Sequence, residues 1–584
     1  MADRNDAESI RWRKYYSNSE FHLEYPEKTL WEMVEKAGEK HKDRVALDFL
    51  GKKITFAEFL RKIEAASRAF VAIGIEVGDR VTVALPNIPQ ALACFYGLNK
   101  IGAVPGMIHP LSAEAEIQYY LEISGSKAVV TLDSFYEKTV AAVKALEEKT
   151  GKLIKIVVAR VQDELPLPKN IAFGMANRKK VPEIKYGENV ISWKNFIRKG
   201  IRCESKFSPG YSGQPGDTAV ILYSGGTTGT SKGIELSNLN VNALAVQTLA
   251  ASGEKDISGL KMLSVMPLFH GFGLGIGIHL PLVYGAQCIL LPQFSLKTYA
   301  ETLRKKKPQF IPGVPTIFEA LLRAENLKKT DLSFLKGVFC GGDSLSVELK
   351  KKVDAFLKEH NAEVQIREGY GTTECVTASC LTPPEYSREG SIGLPFPDTY
   401  YAICKVDSTE HLPCGEEGEI CLRGPSVMKG YLDSPEETAK VLKVHDDGNL
   451  WLHTGDLGVI DKDGFVYFKQ RIKRVIITAG YNVYPSQLEN VIDAHEKVML
   501  SCVIGVPDAY KMQRIKAFVV LKPGFEPSDE VREEILGYCR KYIARYAMPK
   551  EIEFRTELPK TLVGKVAYRE LEKEACAGAQ HNKT

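Results

Sequence analysis

The sequence predicts an α/β protein with a large N-terminal domain of mostly parallel sheets and helices, and a small, mobile C-terminal α+β domain. Short apolar runs alternate with helical patterns from about residue 28 to 160, and again from Asp217 to about Leu381. This alternation is typical of βα units in a parallel sheet. After Ser391 the pattern changes to short strands and turns. At 584 residues the chain is long enough to form both domains.

In the first βα series, Arg80–Leu85 and Lys127–Leu132 are predicted strands, and the first of them follows the turn pair Gly78-Asp79. Residues 163–216 are rich in Pro, Lys and Gly, which predicts an irregular insertion or surface excursion. The second series supplies two predicted strands and one predicted helix, in the order Cys288–Leu291, Val338–Cys340 and Val347–His360.

The C-terminal part of the chain has the pattern of antiparallel strands. Asp461-Lys462-Asp463-Gly464 predicts a hairpin turn between two strands. In the last ~110 residues, Ile515–Leu521 is a predicted strand and Asp529–Tyr542 a predicted helix, which together indicate a small α+β domain.

The stretch from Met262 to Leu296 contains no Asp, Glu, Lys or Arg, and by length it could span a bilayer. It also holds Pro267, Pro281 and Pro292 and five glycines. This composition favours a buried strand–loop–helix–strand unit over one spanning helix, and such a unit can line a pocket for an apolar substrate.

Composition excludes several classes of protein. The chain is 44% apolar and 26% charged, as expected of a globular protein without a transmembrane segment. The net charge of +4, without a dense basic stripe, does not indicate a nucleic-acid partner. The twelve cysteines form no CxxC pair and no His/Cys group with zinc-site spacing, which predicts reduced thiols and a cytoplasmic location. The charged N-terminal residues lack the apolar region of a secretory signal.

The segment Tyr223 to Gly233, YSGGTTGTSKG, is the most specific signal in the chain. It holds four Gly, five hydroxyl side chains and one Lys, and it follows an apolar run that predicts a buried strand. Glycines let backbone N–H groups approach a ligand closely, while hydroxyls and Lys donate to phosphate oxygens. The alternative is an ordinary Gly/Ser turn, which would not need five hydroxyls beside a Lys. The predicted polyphosphate-binding residues are Ser224, Gly225, Gly226, Thr227, Thr228, Gly229, Thr230 and Lys232.

Two further clusters are consistent with a nucleotide site. GYGTTE, from Gly369 to Glu374, offers an aromatic ring, two hydroxyls and a carboxylate that can hold Mg²⁺; the carboxylate can otherwise serve as a helix-cap partner. FCGGDSL, from Phe339 to Leu345, places two glycines after a strand, where a planar base can lie against the backbone. The candidate residues are Tyr370, Gly371, Thr372, Thr373 and Glu374 in the first cluster and Gly341, Gly342 and Asp343 in the second.

Three shorter motifs carry less information on their own. The Asp456 carboxylate after Thr454-Gly455 can accept hydrogen bonds from two ribose hydroxyls, but in isolation the motif favours a β-turn. QRIKR, from Gln470 to Arg474, is basic and compatible with a solvated strand end. PKTLVGK, which ends at Lys565, is a glycine-containing loop near the C-terminus.

Taken together and in this order, these motifs resemble the adenylate-forming superfamily, which includes acyl-CoA synthetases, luciferases and the adenylation domains of peptide synthetases. The resemblance covers nearly the whole chain, from Ile54 to Lys565. The Gly-Gly-Thr-Thr-Gly run, Val-Gly-Lys and PGVPT (Pro312 to Thr316) are most similar to fatty acyl-CoA synthetases. The resemblance implies an enzyme that uses ATP, Mg²⁺ and coenzyme A to convert a carboxylic acid to an acyl-AMP and then to an acyl-CoA.

The resemblance also implies roles for individual residues. Lys565 would be the catalytic lysine between the carboxylate and the α-phosphate, Thr373 would donate to the α-phosphate, and Glu374 would place Mg²⁺. Tyr370 would stack on the purine, and Asp456 with Arg471 would contact the ribose. His270, in PLFHGFG, would order the carboxylate pocket; a lone His among apolar residues is otherwise usually a core residue.

The resemblance further implies two domains, 1–472 and 473–584, which are joined at a hinge at Lys473. The loop at Gly480-Tyr481-Asn482 would face the pantetheine of coenzyme A once the small domain rotates. The expected acid is a medium- or long-chain fatty acid, and an aromatic acid, an acyl carrier protein acceptor and a non-catalytic nucleotide sensor are alternatives. A lipid-like substrate is compatible with peripheral contact to a membrane surface.

Overall fold

The computed structural model describes residues 10–16, 22–202, 211–223, 231–478, 481–508, 512–561 and 566–581. It confirms the predicted class, because two large and mostly parallel sheets form the N-terminal part and a small α+β unit follows them. We name the four sheets A, B, C and D, and each is defined below.

Sheet A has eight strands. Six neighbouring strands, from Thr218–Tyr223 at one end of the run to Val190–Ser192 at the other, are parallel to one another. The strand Gly233–Ser237 pairs antiparallel with Thr218–Tyr223, so the predicted polyphosphate loop joins two neighbouring strands. In spatial order the strands are Gly430–Tyr431, Gly233–Ser237, Thr218–Tyr223, Val104–Met107, Arg80–Ala84, Ala128–Leu132, Lys155–Ala159 and Val190–Ser192.

Sheet B has nine strands, and its central six are parallel. Its strand Ile366–Tyr370 brings the predicted GYGTTE cluster to a carboxyl edge, where parallel sheets bind ligands. In spatial order the strands are Leu394–Pro395, Cys380–Leu381, Ile366–Tyr370, Gly337–Cys340, Phe310–Gly313, Lys261–Ser264, Gln287–Leu290, Val45–Phe49 and Lys52–Thr55.

One continuous apolar core holds sheets A and B together with the helices around them. Several helices begin at a hydroxyl cap; Thr29 and Thr55, for example, each form a reciprocal capping box with a Glu three residues later. The α-helices of this part are Leu30–Lys40, Phe56–Ala72, Pro89–Lys100, Glu114–Ser124, Tyr136–Thr150, Lys169–Asn177, Trp193–Arg202, Asn238–Ser252, Leu280–Val283, Leu296–Lys306, Pro315–Leu322, Val347–Glu359 and Pro435–Val441.

Sheet C is antiparallel and follows sheet B in the chain. The predicted turn at Asp461–Gly464 joins its strands Leu450–Ile460 and Val466–Arg471, which pair antiparallel as a hairpin requires. The strands of sheet C are Tyr400–Cys404, Gly418–Arg423, Leu442–Val444, Leu450–Ile460 and Val466–Arg471.

Sheet D, near the C-terminus, has apolar cores of its own. The predicted strand and helix here are Met512–Leu521 and Asp529–Cys539 in the structure. The other strands are Ile476–Thr478, Tyr481–Val483, Val498–Asp508 and Glu551–Phe554, and the other helices are Pro485–Asp493 and Tyr568–His581. The predicted domain boundary at Lys473 falls in the short 3-10 helix Ile472–Arg474.

The uncharged stretch from Met262 to Leu296 forms the expected buried strand–helix–strand unit around a π-helix, Phe272–His279. None of the helices in the described ranges is both long and apolar enough to cross a membrane. Within the predicted irregular segment 163–216, the described residues up to Arg202 are more regular than predicted. The strand Val190–Ser192 extends sheet A by pairing with Lys155–Ala159, and a strongly amphipathic helix follows it, so tertiary pairing overrides the Pro- and Gly-rich composition.

Candidate active site

Three residues predicted to contact adenosine lie together where sheet B meets sheet C. Tyr370 Oη donates to Asp456 Oδ2 at 2.7 Å, and Arg471 Nε lies 3.4 Å from Asp456 Oδ1. Asp456 and Arg471 are directly opposite partners in their hairpin, which explains why their side chains meet. Only 3% of the Asp456 side chain is exposed, against 44% of that of Arg471. The arrangement presents a buried carboxylate with a more accessible cation above it.

Glu374 and Lys232 both contact the side chain of Tyr431. Tyr431 Oη donates to Glu374 Oε1 at 2.8 Å, and Lys232 Nζ lies 4.6 Å from the centre of the Tyr431 ring. Lys232 also forms an ion pair with Glu437 Oε2 at 2.6 Å, and this contact lowers the pKa of Glu437 to about 2. The predicted phosphate-binding Lys and the predicted Mg²⁺-binding Glu are therefore close neighbours.

The loop after strand Gly337–Cys340 lies against the backbone of the next strand. A Cβ atom at Gly341 would be 3.1 Å from the carbonyl oxygen of Gly369, and Gly342 has a φ of +82°. Asp343 Oδ1 accepts a hydrogen bond from the N–H of Ser344. This close approach of two backbones leaves a flat, glycine-lined edge of the kind that a planar base needs.

Glu368 lies one strand residue before this edge and was not predicted as a site residue. Its Oε1 accepts a hydrogen bond from the N–H of Leu345 at 3.2 Å. Burial raises the pKa of Glu368 to about 8. The group is therefore mostly protonated at neutral pH and does not add a negative charge next to the nucleotide edge.

The segment after Tyr370 is tightly constrained. A Cβ atom at Gly371 would be 2.3 Å from the carbonyl oxygen of Thr377, so no larger residue fits there. Thr372 precedes the short 3-10 helix Thr373–Cys375, and Val376 after it has a φ of +64°. A β-branched residue in this conformation stores strain, which is a feature of functional segments that the surrounding structure holds in place.

An apolar cavity lies directly beside these residues. The space between its walls, including the part open to solvent, is about 680 Å³. One end is formed by Gly341, Gly342 and Gly369 of the nucleotide edge, so the two sites are continuous. The remaining walls are formed largely by apolar side chains, including Leu249, Ile257, Met262, Phe272, Ile276, Leu280, Phe310, Phe339, Leu381 and Phe396.

His270 precedes the π-helix that forms one wall of this cavity. Its Nδ1 accepts a hydrogen bond from the N–H of Phe272 at 3.2 Å, which fixes the ring relative to the wall. The next residue packs against the strained Val376, because a Cβ atom at Gly271 would be only 1.6 Å from the carbonyl oxygen of Val376. The segment that leads into the cavity wall at Gly271 is thus in direct contact with the segment that follows Glu374 at Val376.

The predicted hinge residue Lys473 and Tyr481 of the predicted coenzyme A loop lie at the surface. Lys473 is exposed in the helix Ile472–Arg474. Tyr481 is 53% exposed and stacks on Tyr546 with ring centres 4.4 Å apart. Arg474 lies 4.6 Å from the ring of Tyr568, at the start of the last helix.

Several predicted site residues lie outside the described part of the chain. They are the loop residues Ser224, Gly225, Gly226, Thr227, Thr228, Gly229 and Thr230, together with Gly480 and the predicted catalytic Lys565. Their predicted roles stay predictions. The sequence analysis missed Tyr431 and Glu437. Tyr431 lies in a two-residue strand and Glu437 in a seven-residue helix, and both elements are too short to give a recognisable apolar periodicity.

Comparison with known proteins gives consistent matches. The family described as "AMP-binding enzyme" matches residues 34–432, and "AMP-binding enzyme C-terminal domain" matches residues 487–565. A long-chain-fatty-acid–CoA ligase of Bacillus subtilis (strain 168) is 36% identical and covers 96% of this chain and 98% of its own length. One of Yersinia pestis is 33% identical, with 94% coverage of each chain.

The structure also matches solved structures. The crystal structure of ATP-bound MatB from Rhodopseudomonas palustris superposes with a TM-score of 0.78 at 25% sequence identity, and covers 94% of this chain and 99% of its own.

Proposed function

This chain belongs to the family of AMP-binding enzymes and is an AMP-forming acyl-CoA synthetase, and we propose that its acid substrate is a long-chain fatty acid. One observation carries this choice: the apolar cavity opens at the glycine edge of the nucleotide site, where an acyl chain attached to a reacting carboxylate would lie. The relatives from Bacillus subtilis and Yersinia pestis are named for the same substrate class.

The first step joins two anions. A carboxylate oxygen attacks the α-phosphorus of ATP, the bond from that phosphorus to the β-phosphate oxygen breaks, and pyrophosphate leaves. Two unit charges 4 Å apart repel by about 4 kcal/mol at an effective dielectric constant near 20. The site must therefore supply positive charge and hydrogen-bond donors aimed at the transition state.

We assign these donors by combining the geometry with the sequence motifs. Lys232, above Tyr431, binds the β- and γ-phosphates together with Thr227, Thr228 and Thr230. Thr373 donates to the α-phosphate, and Lys565 bridges the carboxylate and the α-phosphate. Tyr370 and the Gly341–Asp343 edge bind the base, while Asp456 and Arg471 bind the ribose, so that adenosine serves to orient the reacting atoms.

Glu374 is the proposed Mg²⁺ ligand. A carboxylate oxygen is the type of ligand that Mg²⁺ prefers, and Mg²⁺ is commonly held by one or two carboxylates plus substrate phosphates. The Tyr431 hydroxyl orients this carboxylate through Oε1. When bound, Mg²⁺ would offset negative charge on the leaving pyrophosphate.

A titration tests the Mg²⁺ assignment. Glu374→Gln should raise the Mg²⁺ concentration needed for half-maximal adenylate formation by at least about tenfold, because a charged ligand is lost. Tyr431→Phe, which keeps the carboxylate, should shift it much less. Equal Mg²⁺ curves for Glu374→Gln and the unmodified enzyme would show that Glu374 is structural.

The second step is attack of the coenzyme A thiolate on the acyl carbonyl, which breaks the acyl–phosphate bond and releases AMP. In this proposal, residues 473–584 act as a mobile domain that rotates about Lys473. The loop at Gly480 and Tyr481 then faces the pantetheine in place of Lys565. His270, fixed by its bond to Phe272, orders the carboxylate pocket and transfers no proton, since a carboxylate nucleophile needs no base.

Carboxylate-dependent ATP–pyrophosphate exchange across a panel of acids tests the substrate. We expect strong exchange with long-chain fatty acids and, after addition of coenzyme A, formation of AMP and thioester. Exchange confined to aromatic acids would replace the fatty acid by an aromatic one. Exchange without thioester would indicate an acyl carrier protein as acceptor, and no exchange with any acid would favour the non-catalytic alternative.

A variant tests whether the cavity holds the chain. Ile276→Phe adds bulk to the cavity wall and should move the preferred acid to a shorter chain. Exchange by the same variant with a short acid is the internal control and should be retained. An unchanged chain-length profile would place the acyl chain elsewhere.

We also propose a cytoplasmic location, because the eleven cysteines in the described part of the chain form no disulfide with one another, as expected in a reducing compartment. A lipid-like substrate is compatible with transient contact to a membrane surface.

A further inference from the structure

Five side chains that can bind a metal lie together on sheet C, and the proposed reaction uses none of them. They are Cys404, His411, Cys421, His445 and His453. One donor atom each from Cys421, His445 and His453 lies within 4.8 Å of the other two, and all three residues are buried. A second trio, formed by Cys404, His411 and His445, meets the same distance limit, but its His411 is exposed.

Strand register brings these side chains together. Cys421 and His453 are directly opposite partners on neighbouring antiparallel strands, so their side chains project from the same face. Cys404 and His411 are partners in an isolated bridge. His445, just after strand Leu442–Val444, lies between the two pairs, with its Nε2 towards His453 and its Nδ1 towards His411.

The distance between the two imidazole nitrogens is close to that of a tetrahedral metal site. His445 Nε2 lies 3.0 Å from His453 Nε2, and the donor atom of Cys421 lies within 4.8 Å of those of both histidines. Zn–N bonds of 2.0–2.1 Å in tetrahedral geometry separate two nitrogen ligands by about 3.3 Å. The Cys421 thiol, now 3.5 Å from His453 Nδ1, would have to turn towards the ion at Nε2 to complete the set.

We propose that Cys421, His445 and His453 bind one zinc-class divalent metal ion. Thiolate and imidazole ligands in a buried site select Zn²⁺ or a similar transition metal over Mg²⁺ or Ca²⁺. Binding forms one metal–sulfur and two metal–nitrogen bonds, and the Cys421 thiol releases its proton to solvent. The fourth position falls to water or to a group of the second trio.

The surroundings of His453 resemble the outer shell of a metal site. Its Nδ1 donates to Glu419 Oε2 at 2.7 Å, which leaves Nε2 to bind the ion. A carboxylate that orients a ligating imidazole in this way is common in zinc proteins. His445 is held by stacking on Trp451, with ring centres 5.3 Å apart and planes inclined by 11°.

The site lies directly behind the nucleotide pocket. The second oxygen of Glu419, Oε1, accepts a hydrogen bond from the N–H of Gly455, the residue before Asp456. A bound ion would fix His453 and Glu419 and, through them, the turn that carries the proposed ribose-binding carboxylate. The ion is therefore structural and contacts no substrate.

The alternative is a chain of hydrogen bonds without an ion. In it, His411 donates to His445, His445 donates to His453, and His453 donates to Glu419. Each imidazole is neutral in this arrangement and uses its single N–H as the donor. Metal uptake separates the two arrangements, because the hydrogen-bonded chain has no need of an ion.

The test uses the full-length protein, treated with a chelator and then dialysed against Zn²⁺ or Co²⁺ alone. Bound metal is counted by mass spectrometry, the Co²⁺ form is examined for thiolate-to-metal absorption, and the melting temperature is measured with and without Zn²⁺. We expect one ion per chain, the thiolate absorption band and a higher melting temperature with Zn²⁺.

Matched variants identify the ligands. His445→Asn and Cys421→Ser should lose the ion, whereas His495→Asn and Cys576→Ser, which lie outside the cluster, should keep it. Absence of uptake by the unmodified protein would overturn the proposal without reference to any variant. Loss of the ion in Cys404→Ser with retention in Cys421→Ser would overturn the choice of ligands. These readouts do not depend on the acid substrate or on activity.

Discussion

Asp456 is the residue on which the two halves of the candidate adenosine site converge. Its two carboxylate oxygens face Tyr370 from sheet B and Arg471 from sheet C. Its burial makes each of these contacts more valuable than the same contact in water, because the local dielectric is lower. A ribose would therefore meet a carboxylate that is already oriented and held in place.

Replacement of Lys565 should affect the two half-reactions differently. Lys565→Ala should slow adenylate formation by at least about 100-fold, since one charged donor to the transition state is lost. Thioester formation from supplied acyl-adenylate should continue, because the lysine acts only in the first step. Single-turnover measurements of each half-reaction check this, with the exposed Lys560→Ala as the matched control. Equal loss of both half-reactions would contradict the two-state mechanism.

Glu368 carries a pH prediction. Burial raises its folded-state pKa to about 8, above the value near 4.5 of an exposed Glu. Between these values the folded state holds more protons than the unfolded state, so the free energy of unfolding should fall as pH rises, by at most about 1.4 kcal/mol per pH unit.

Glu368→Gln should lose this component while it keeps an acceptor for Leu345. Chemical denaturation of both proteins at several pH values between 5 and about 9 measures the difference. The stability of the unmodified protein relative to the variant should decrease up to about pH 8 and then level off. A constant difference across this range would show that Glu368 ionises normally.

At the scale of single elements, the π-helix Phe272–His279 links the acid cavity to the nucleotide loop. It supplies Phe272 and Ile276 to the cavity wall. Glycines at its N-terminal end allow the backbone to approach neighbouring carbonyl groups more closely than any other residue permits. A π-helix is a rare element and is often found at functional sites.

The same helix offers a matched pair of glycines. A Cβ atom at Gly273 would lie 2.0 Å from the carbonyl oxygen of Pro267, whereas one at Gly277 would meet nothing nearer than 3.6 Å. Because the backbone must shift, Gly273→Ala should lower the free energy of unfolding by about 1–3 kcal/mol. It should also reduce carboxylate-dependent ATP–pyrophosphate exchange. Gly277→Ala should remain close to the unmodified protein. Thermal unfolding and exchange assays check both, and equal behaviour of the two variants would contradict the packing argument.

At the scale of the whole molecule, the part that follows Lys473 has its own sheet and cores, and two of its polar side chains contact the N-terminal part. Tyr484 Oη donates to Glu417, just before strand Gly418–Arg423 of sheet C, and Ser486 Oγ donates to the carbonyl oxygen of Lys469 at 2.6 Å. A few polar contacts can stabilise one position of the C-terminal part relative to the N-terminal part and still break when it moves to another. This is what a rotating domain requires.

Tyr484→Phe removes one of these contacts and leaves the predicted catalytic groups in place. If the contact stabilises the arrangement for the first step, adenylate formation should slow by roughly two- to tenfold, the value of one hydrogen bond. Thioester formation from supplied acyl-adenylate should be unchanged or faster. Tyr186→Phe, a surface tyrosine that contacts Arg160, is the control. A variant that slows only the second step would assign this contact to the other arrangement.

The sequence by itself determined the fold class, several of the strands and the motifs of the nucleotide site. These features depend on local patterns: apolar runs at strand spacing, glycine and hydroxyl residues in one loop, and a turn such as Asp461–Gly464. Tertiary structure alone decided which distant side chains meet. Tyr431 reaches Glu374 from a strand that pairs with Gly233–Ser237, and Glu437 reaches Lys232 from the helix that follows this strand. The strand Val190–Ser192 forms because it finds a partner in Lys155–Ala159.

The His/Cys cluster shows the same division most clearly. From the sequence, no group of cysteines and histidines has the spacing of a zinc site, and the expectation was dispersed thiols. In the fold, Cys421 and His453 become direct partners although 32 residues separate them, because antiparallel register joins positions that local spacing does not relate. Linear spacing reveals sites built within one loop or helix, whereas a site built across strands is fixed only when the sheet pairs.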